Sequence, residues 1–197
     1  MTGTLSAEIA AAAARLIVEE GLEYGAAKRR AARDLGARRR SVGLPDNDEV
    51  ENEVRAYIGL FRAASQPAEL AALREIAGQW MERLAAFRPY LTGAVWRGTA
   101  TRLSDIHIEL YCDDSKAAEL ALIDLRVDYD VSSAETPRGR SVDVLNVYAP
   151  GLEPRTRVRI AFTVLDYDDL RGALRGDGRG QPQRGTFAAL KALGATA

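Results

Sequence analysis

A chain of 197 residues with 27 Lys and Arg against 28 Asp and Glu has a formal net charge of −1, so any attraction to nucleic acid or an anionic membrane has to be local. Hydrophobic content of 47% and charged content of 28% are ordinary for a globular protein, and the length suits one domain or a compact domain with a helical extension. One cysteine, Cys112, excludes an intramolecular disulfide, and one Cys with one His excludes structural zinc.

The first twenty residues are Ala-rich but open without a Lys/Arg n-region, and Glu8, Arg15 and Glu19 fall at helix-face spacing. They read as an amphipathic helix rather than a signal peptide. No apolar run approaches the roughly 18–20 residues of a bilayer span, so the expectation is a cytoplasmic protein with no membrane role. Ser6 caps a helix to about Glu20, with Ile9, Ala13, Leu16 and Ile17 on one face, and Gly21 ends it. A second helix runs from about Tyr24 to Leu35 and stops at Gly36. Asp46 with Glu49 three residues on is a capping pair, and the helix that follows sets Val50, Val54, Tyr57, Ile58 and Phe61 at helical spacing. Gln66-Pro67 opens a fourth helix whose stripe is Leu70, Leu73, Ile76, Trp80, Leu84 and Phe87, closed by Arg88-Pro89.

After Pro89 the period changes. Ala94 to Arg97 reads as a short strand, followed by Gly98. Asp105 to Cys112 alternates, with Ile106, Ile108 and Leu110 facing one way and His107, Glu109 and Tyr111 the other. Cys112 reads as a small buried residue near a strand end. Asp113-Asp114-Ser115 caps a helix containing Ala118, Leu120, Ala121, Leu122 and Leu125. Residues 127–132, 141–148 and 157–165 read as strands, separated by turn clusters at 135–139 and 150–151. Residues 176–182 read as a mobile loop before a short helix near Thr186 to Leu193. The expected organisation is α+β: an N-terminal helical region over 1–65, a mixed β-sheet backed by helices over 66–175, and a loop with a short helix over 176–197.

Gly98-Thr99 followed by Ser104-Asp105-Ile106-His107-Ile108 resembles the polymerase-β-type nucleotidyltransferases, which carry Gly-Ser, a loop, Asp-x-Asp on the next strand and a third carboxylate on a later strand. The resemblance covers roughly Pro67 to Leu165. The chain also resembles a group of bacterial nucleotidyltransferase-like proteins of unassigned function, through residues 23–36, 44–54, 87–114 and 166–174. In the active family, two carboxylates on one strand face ligate Mg²⁺, and the metal clamps nucleotide phosphates for in-line displacement. The resemblance implies Asp105, His107 and Glu109 as catalytic candidates, and Gly98, Thr99 and Ser104 as nucleotide-binding candidates. It implies Asp105, Glu109 and Asp143 as metal candidates.

Three departures qualify that pattern. His107 stands where the second Asp belongs, and a neutral imidazole is a poor ligand for a hard cation. The loop from Gly98 to Asp105 is shorter than usual in the family. The strand from Arg157 to Thr163 carries no carboxylate, which leaves Asp143 as a fallback. The leading reading is a nucleotidyltransferase-like protein with a degenerate site and a nucleotide- or partner-binding role. The alternative is an active transferase, dependent on Mg²⁺, that moves a nucleotide to a protein, RNA or small acceptor. The degenerate reading needs no cofactor.

Lys28, Arg29, Arg30, Arg33, Arg38, Arg39 and Arg40 place seven cations in thirteen residues, which offers a second alternative, a nucleic-acid-binding module. No aromatics interleave, and Asp46, Asp48, Glu49, Glu51 and Glu53 follow, so the expectation is two helices whose charged faces pair. Asp166, Asp168 and Asp169 read as helix-start acids, and Arg155, Arg157 and Arg159 as a solvated strand face or an anion site. The P-loop, the dinucleotide fingerprint and the nucleophile elbow are absent from the sequence. Oligomeric state is open.

Overall fold

The computed structural model describes residues 2–36, 43–136, 139–173 and 182–194. They divide into two compact units, Met1–Ala68 with Thr99–Leu103, and Glu69–Gly98 with Ser104–Ala197.

The first unit is helical: α1 (Thr2–Glu20), α2 (Tyr24–Asp34) and α3 (Asn47–Phe61). Ile9, Ala13, Leu16 and Ile17 of α1 pack with Ala27 and Ala31 of α2 and with Val50, Val54 and Ile58 of α3. The alanines let the helix backbones approach closely. Asp46 and Glu49 form a reciprocal capping box: the Glu49 N–H donates to Asp46 Oδ1 at 2.7 Å and the Asp46 N–H to Glu49 Oε2 at 2.9 Å. Gly21 ends α1 at φ +69°, and a Cβ there would stand 2.9 Å from the Leu103 carbonyl.

Three expectations fail in this unit. Ser6 does not cap α1, which already runs from Thr2, so Ser6 lies inside the helix. Phe61 is exposed rather than part of the core. Glu51 is buried rather than solvated, and its carboxylate accepts from the Tyr24 hydroxyl, from Thr99 Oγ1 at 3.0 Å and from Arg55 Nη2 at 3.1 Å. The charge pairing also takes a different route. Arg30 pairs with Glu20 and Asp34, while Lys28 donates to the Pro45 carbonyl and Asn47 Oδ1. Arg38, Arg39 and Arg40 lie outside the described residues.

The second unit is α+β, with a six-stranded mixed sheet in the order β3-β4-β5-β2-β1-β6. The strands are β1 (Tyr90–Thr92), β2 (Ile106–Tyr111), β3 (Tyr129–Glu135), β4 (Ser141–Pro150), β5 (Arg157–Leu165) and β6 (Gly185–Thr186). Central β2 and β5 are parallel, and every other neighbouring pair is antiparallel. Helices α4 (Gln66–Arg83), α5 (Gly93–Arg97), α6 (Ser115–Asp124), α7 (Tyr167–Ala173) and α8 (Phe187–Gly194) complete the described elements. Among the described residues, no helix is long and apolar enough to cross a membrane.

One sheet face is the core. Ile106, Ile108 and Leu110 of β2, Val158, Ile160, Phe162 and Val164 of β5, and Leu145 and Val147 of β4 are all buried. Trp80 of α4 meets Phe162 with ring centroids 5.6 Å apart. Each fully buried side chain of this size contributes about 1.5–3 kcal/mol of transfer free energy, which is why the period-2 pattern of β2 and β5 is so legible.

The segment before β2 corrects the sequence reading. Ala94 to Arg97 is not a strand but helix α5, and the strand is Tyr90–Thr92, one turn earlier. Three apolar residues followed by an arginine fit either period. Here Gly93 at φ +69° breaks the strand, and Gly98 at φ +85° closes the helix with its N–H on the Ala94 carbonyl at 2.9 Å. Helix α4 ends at Arg83, so Phe87 falls in a separate 3-10 turn over Ala85–Phe87. Leu120 and Leu125 of the α6 segment are exposed. Most of the 176–182 loop lies outside the described residues. The short strand β6 was not expected.

Candidate functional site on the polar face of β2

Because Ile106, Ile108 and Leu110 enter the core, Asp105, His107 and Glu109 stand on the opposite face of β2. Register sets their neighbours. His107 is level with Ala161 of β5 on one side and Thr92 of β1 on the other, and Ala161 is level with Asn146 of β4. Gly93, next after Thr92, lies against the imidazole: a Cβ there would be 3.3 Å from His107 Cδ2. His107 is thus bordered by two of the smallest residues. One of its ring nitrogens and an Asp105 carboxylate oxygen lie within 4.8 Å.

Asp105 is held by a guanidinium. Arg159 of β5 donates to Asp105 Oδ2 from Nη2 at 2.7 Å and from Nε at 2.9 Å. Its Nη1 donates to Asn146 Oδ1 at 3.1 Å, and Asn146 Nδ2 donates to Ser132 Oγ at 2.9 Å. A polar chain therefore crosses β2, β5, β4 and β3. The Asp105 and Arg159 side chains are 28% and 31% exposed, partly shielded from the solvent that weakens surface pairs.

Glu109 is held by a second guanidinium, that of Arg184, which also donates to the Tyr111 hydroxyl at 2.7 Å. The Tyr111 hydroxyl in turn donates to Glu109 Oε2 at 2.7 Å. Burial, then the Glu109 charge and this hydrogen bond, push the Tyr111 phenol well above its ordinary pKa. Arg184 is placed by its neighbours: Gly185 and Thr186 pair with Leu91 and Tyr90 of β1, and Trp96 Nε1 donates to the Pro182 carbonyl at 2.7 Å. Arg184 Nε is buried and has no hydrogen-bond partner among the described residues.

The remaining candidates have other surroundings. Asp143 shares the β4 face of Leu145 and Val147, the opposite side of the sheet from Asp105 and Glu109. It lines a cavity of about 290 Å³ with Cys112, Asp113, Ser115, Arg140 and Asp166, at the carboxyl ends of β2 and β5. Burial, reinforced by Asp114, Asp113 and Asp166, pushes the Cys112 thiol up, away from a reactive thiolate. Gly98 is the C-cap of α5, where Arg74 donates to the carbonyls of Val95 and Trp96. Thr99 belongs to the helical unit, with its hydroxyl on Glu51. Ser104 precedes Asp105 and is half-buried.

The partners that define the site are Arg159, Arg184, Tyr111 and Gly93. Arg159 left a trace in the alternation of Arg155, Arg157 and Arg159, but nothing in the sequence assigns it to Asp105. Arg184 is 75 residues from Glu109 and had no sequence signal.

These residues do not fit a magnesium site. A hard divalent cation needs several oxygen ligands with free lone pairs. Asp105 and Glu109 already carry guanidinium partners, Asp143 faces the other way, and His107 offers nitrogen. On β5, the strand beside β2, the same face carries Arg157, Arg159, Ala161 and Thr163, with no carboxylate.

No protein-family model matches the chain, and no curated protein matches it. Among solved structures, one match is to Cid1, whose structural plasticity is described as a basis for its RNA terminal uridylyl transferase activity. Identity is 10% and the TM-score 0.26, over 53% of this chain and 30% of the Cid1 chain. The chain therefore spans less than a third of that protein, an overlap too slight to bear on activity.

Proposed function

We propose that the second unit is a nucleotidyltransferase-like domain that has given up metal-dependent transfer and binds a nucleotide without turning it over. The observation that carries this reading is the Arg159 guanidinium on Asp105. It brings a fixed positive charge to the carboxylate that would otherwise ligate Mg²⁺, from the adjacent strand where a third acid would complete such a site. The Arg184–Glu109 pair supports the same reading at the next position along the face. With Asp105 and Glu109 each matched by a guanidinium, these four groups carry no net charge to attract a divalent cation.

The test is direct. Incubation with labelled ATP, GTP, CTP or UTP and Mg²⁺ or Mn²⁺ is expected to give no transfer, while at least one nucleotide raises the melting temperature. Transfer that disappears in Asp105→Ala would overturn the reading.

The active alternative, Mg²⁺-dependent transfer to a protein, RNA or small acceptor, is opposed by spacing as well as charge. Asp105 and Glu109 stand four residues apart on an extended strand, about 13 Å between Cα atoms, too far to share one ion. Arg159→Ala separates the two readings, because an active enzyme would then gain transfer. The nucleic-acid reading through 28–40 is opposed by the local engagement of Lys28 and Arg30. It would need salt-sensitive RNA binding, with log affinity falling linearly in log salt.

A further inference from the structure

The two edges of the sheet are built differently. The β6 edge is two residues long, a length that offers almost nothing to pair with. The β3 edge is seven residues long, and six of the seven are exposed. Its ladder with β4 runs unbroken from Tyr129↔Val147 to Glu135↔Ser141, with no bulge to twist it away. It carries neither Lys nor Pro, the residues that most often blunt an open edge. Alternate residues of such a strand direct backbone N–H and C=O groups outward.

We infer that β3 is the edge through which a second copy of this chain pairs, antiparallel about a two-fold axis at Ser132. The sequence of the strand is self-complementary in that register. Tyr129 falls opposite Glu135, an uncharged side chain facing a carboxylate. Asp130 falls opposite Ala134, Val131 opposite Ser133, and Ser132 opposite itself. No like charges meet, whereas an axis moved to Asp130 would set that carboxylate against its own copy. Val131, 55% exposed, comes within diagonal reach of its counterpart on the same face. Leu120 and Ile123, 58% and 54% exposed, add apolar surface on α6, the helix whose Glu119 accepts from the Tyr129 hydroxyl at 3.4 Å. The pairing is isologous, and among the described residues the two-residue β6 edge offers almost nothing to propagate it, so association stops at two copies with one continuous sheet.

The full chain is tested by sedimentation velocity across a dilution series. The expected result is a dimer that dissociates on dilution. Val131→Lys with Ser133→Lys places charges on exposed positions of the edge, and is expected to give a monomer with unchanged circular dichroism and melting temperature. Ser132→Cys is expected to yield a covalent dimer on mild oxidation, since directly opposed residues lie about 4.5–5.5 Å apart between Cα atoms. The wild type, whose Cys112 is buried, is expected to yield none. A monomer at every concentration overturns the inference. So does a dimer that survives the lysine pair and gives no cross-link, as it would if another segment or surface occupied this edge.

Discussion

Arg159 approaches a single carboxylate oxygen of Asp105 with two nitrogens, Nη2 at 2.7 Å and Nε at 2.9 Å. The pair joins the two parallel strands at the centre of the sheet. Partly buried guanidinium–carboxylate pairs lie between exposed pairs, which contribute about 0–1 kcal/mol, and fully buried ones, whose disruption costs about 3–5 kcal/mol. Arg159→Met is expected to destabilise the protein by about 1–2 kcal/mol in urea unfolding, because Asp105 loses its partner and Asn146 loses a donor. Adding Asp105→Asn should recover part of that loss. A double-mutant cycle with no coupling would show that the two side chains do not stabilise each other.

The Tyr111 phenol makes alkaline stability a report on this face. Its folded pKa is raised above the ordinary 10.0, by burial first and then by Glu109. Above that value the unfolded chain gives up the proton while the folded chain keeps it, so the unfolded state binds fewer protons and stability falls as pH rises. The contribution is complete below pH 10.0 and is lost on the alkaline side. In Tyr111→Phe the decline with pH should be shallower. Some slope should remain from Tyr57, whose phenol is raised mainly by its hydrogen bond to Glu19. Denaturant midpoints measured on both proteins across this range would show it, and identical slopes would contradict the assignment.

Gly185 lies under the Trp96 ring, and a Cβ there would collide with Trp96 Cζ3, Cη2 and Cε3. The ring is rigid and cannot flex aside as a lysine tip would. Gly185→Ala is expected to expel the indole from the Pro182 carbonyl and loosen β6 from β1, at about 1–3 kcal/mol. Tryptophan fluorescence should become more accessible to a soluble quencher. Unchanged quenching would mean that Gly185 of β6 is not seated on Trp96.

In the helical unit, Asp46→Ala removes the side chain that accepts from the Glu49 N–H and leaves the first turn of α3 without its cap. A loss of about 1 kcal/mol is expected. Hydrogen exchange at the Glu49 amide should rise before that at Val54, and equal protection at both in the variant would count against the cap.

Much of this protein is readable from local pattern. Asp46 and Glu49 announce the start of α3 because both halves of a capping box lie within four residues. β5 was delimited at 157–165 because a buried parallel strand writes a dense apolar run. The face shared by Asp105, His107 and Glu109 followed from period 2 alone. Where local signals were ambiguous, the reading went astray. Ala94 to Arg97 suits either a strand or a helix, and the decision came from Gly93, which breaks the strand so that Thr92 rather than Val95 pairs with His107. Glu51 looked like one more solvated acid, yet Tyr24, Arg55 and Thr99 surround its carboxylate.

By itself, then, the sequence determined which residues of β2 face away from the core, that His107 stands between Asp105 and Glu109 on that face, and that the class is α+β. Those properties depend on neighbours a few residues apart, and periodicity records them. Which charge meets Asp105, which meets Glu109, and which side of the sheet Asp143 occupies were decided by the tertiary structure. Each depends on strand order and register between segments separated by tens of residues. Arg159 lies beside Asp105 because β5 crosses over to run parallel to β2, and Asp143 faces away because the β4–β5 ladder places Val144 level with Thr163.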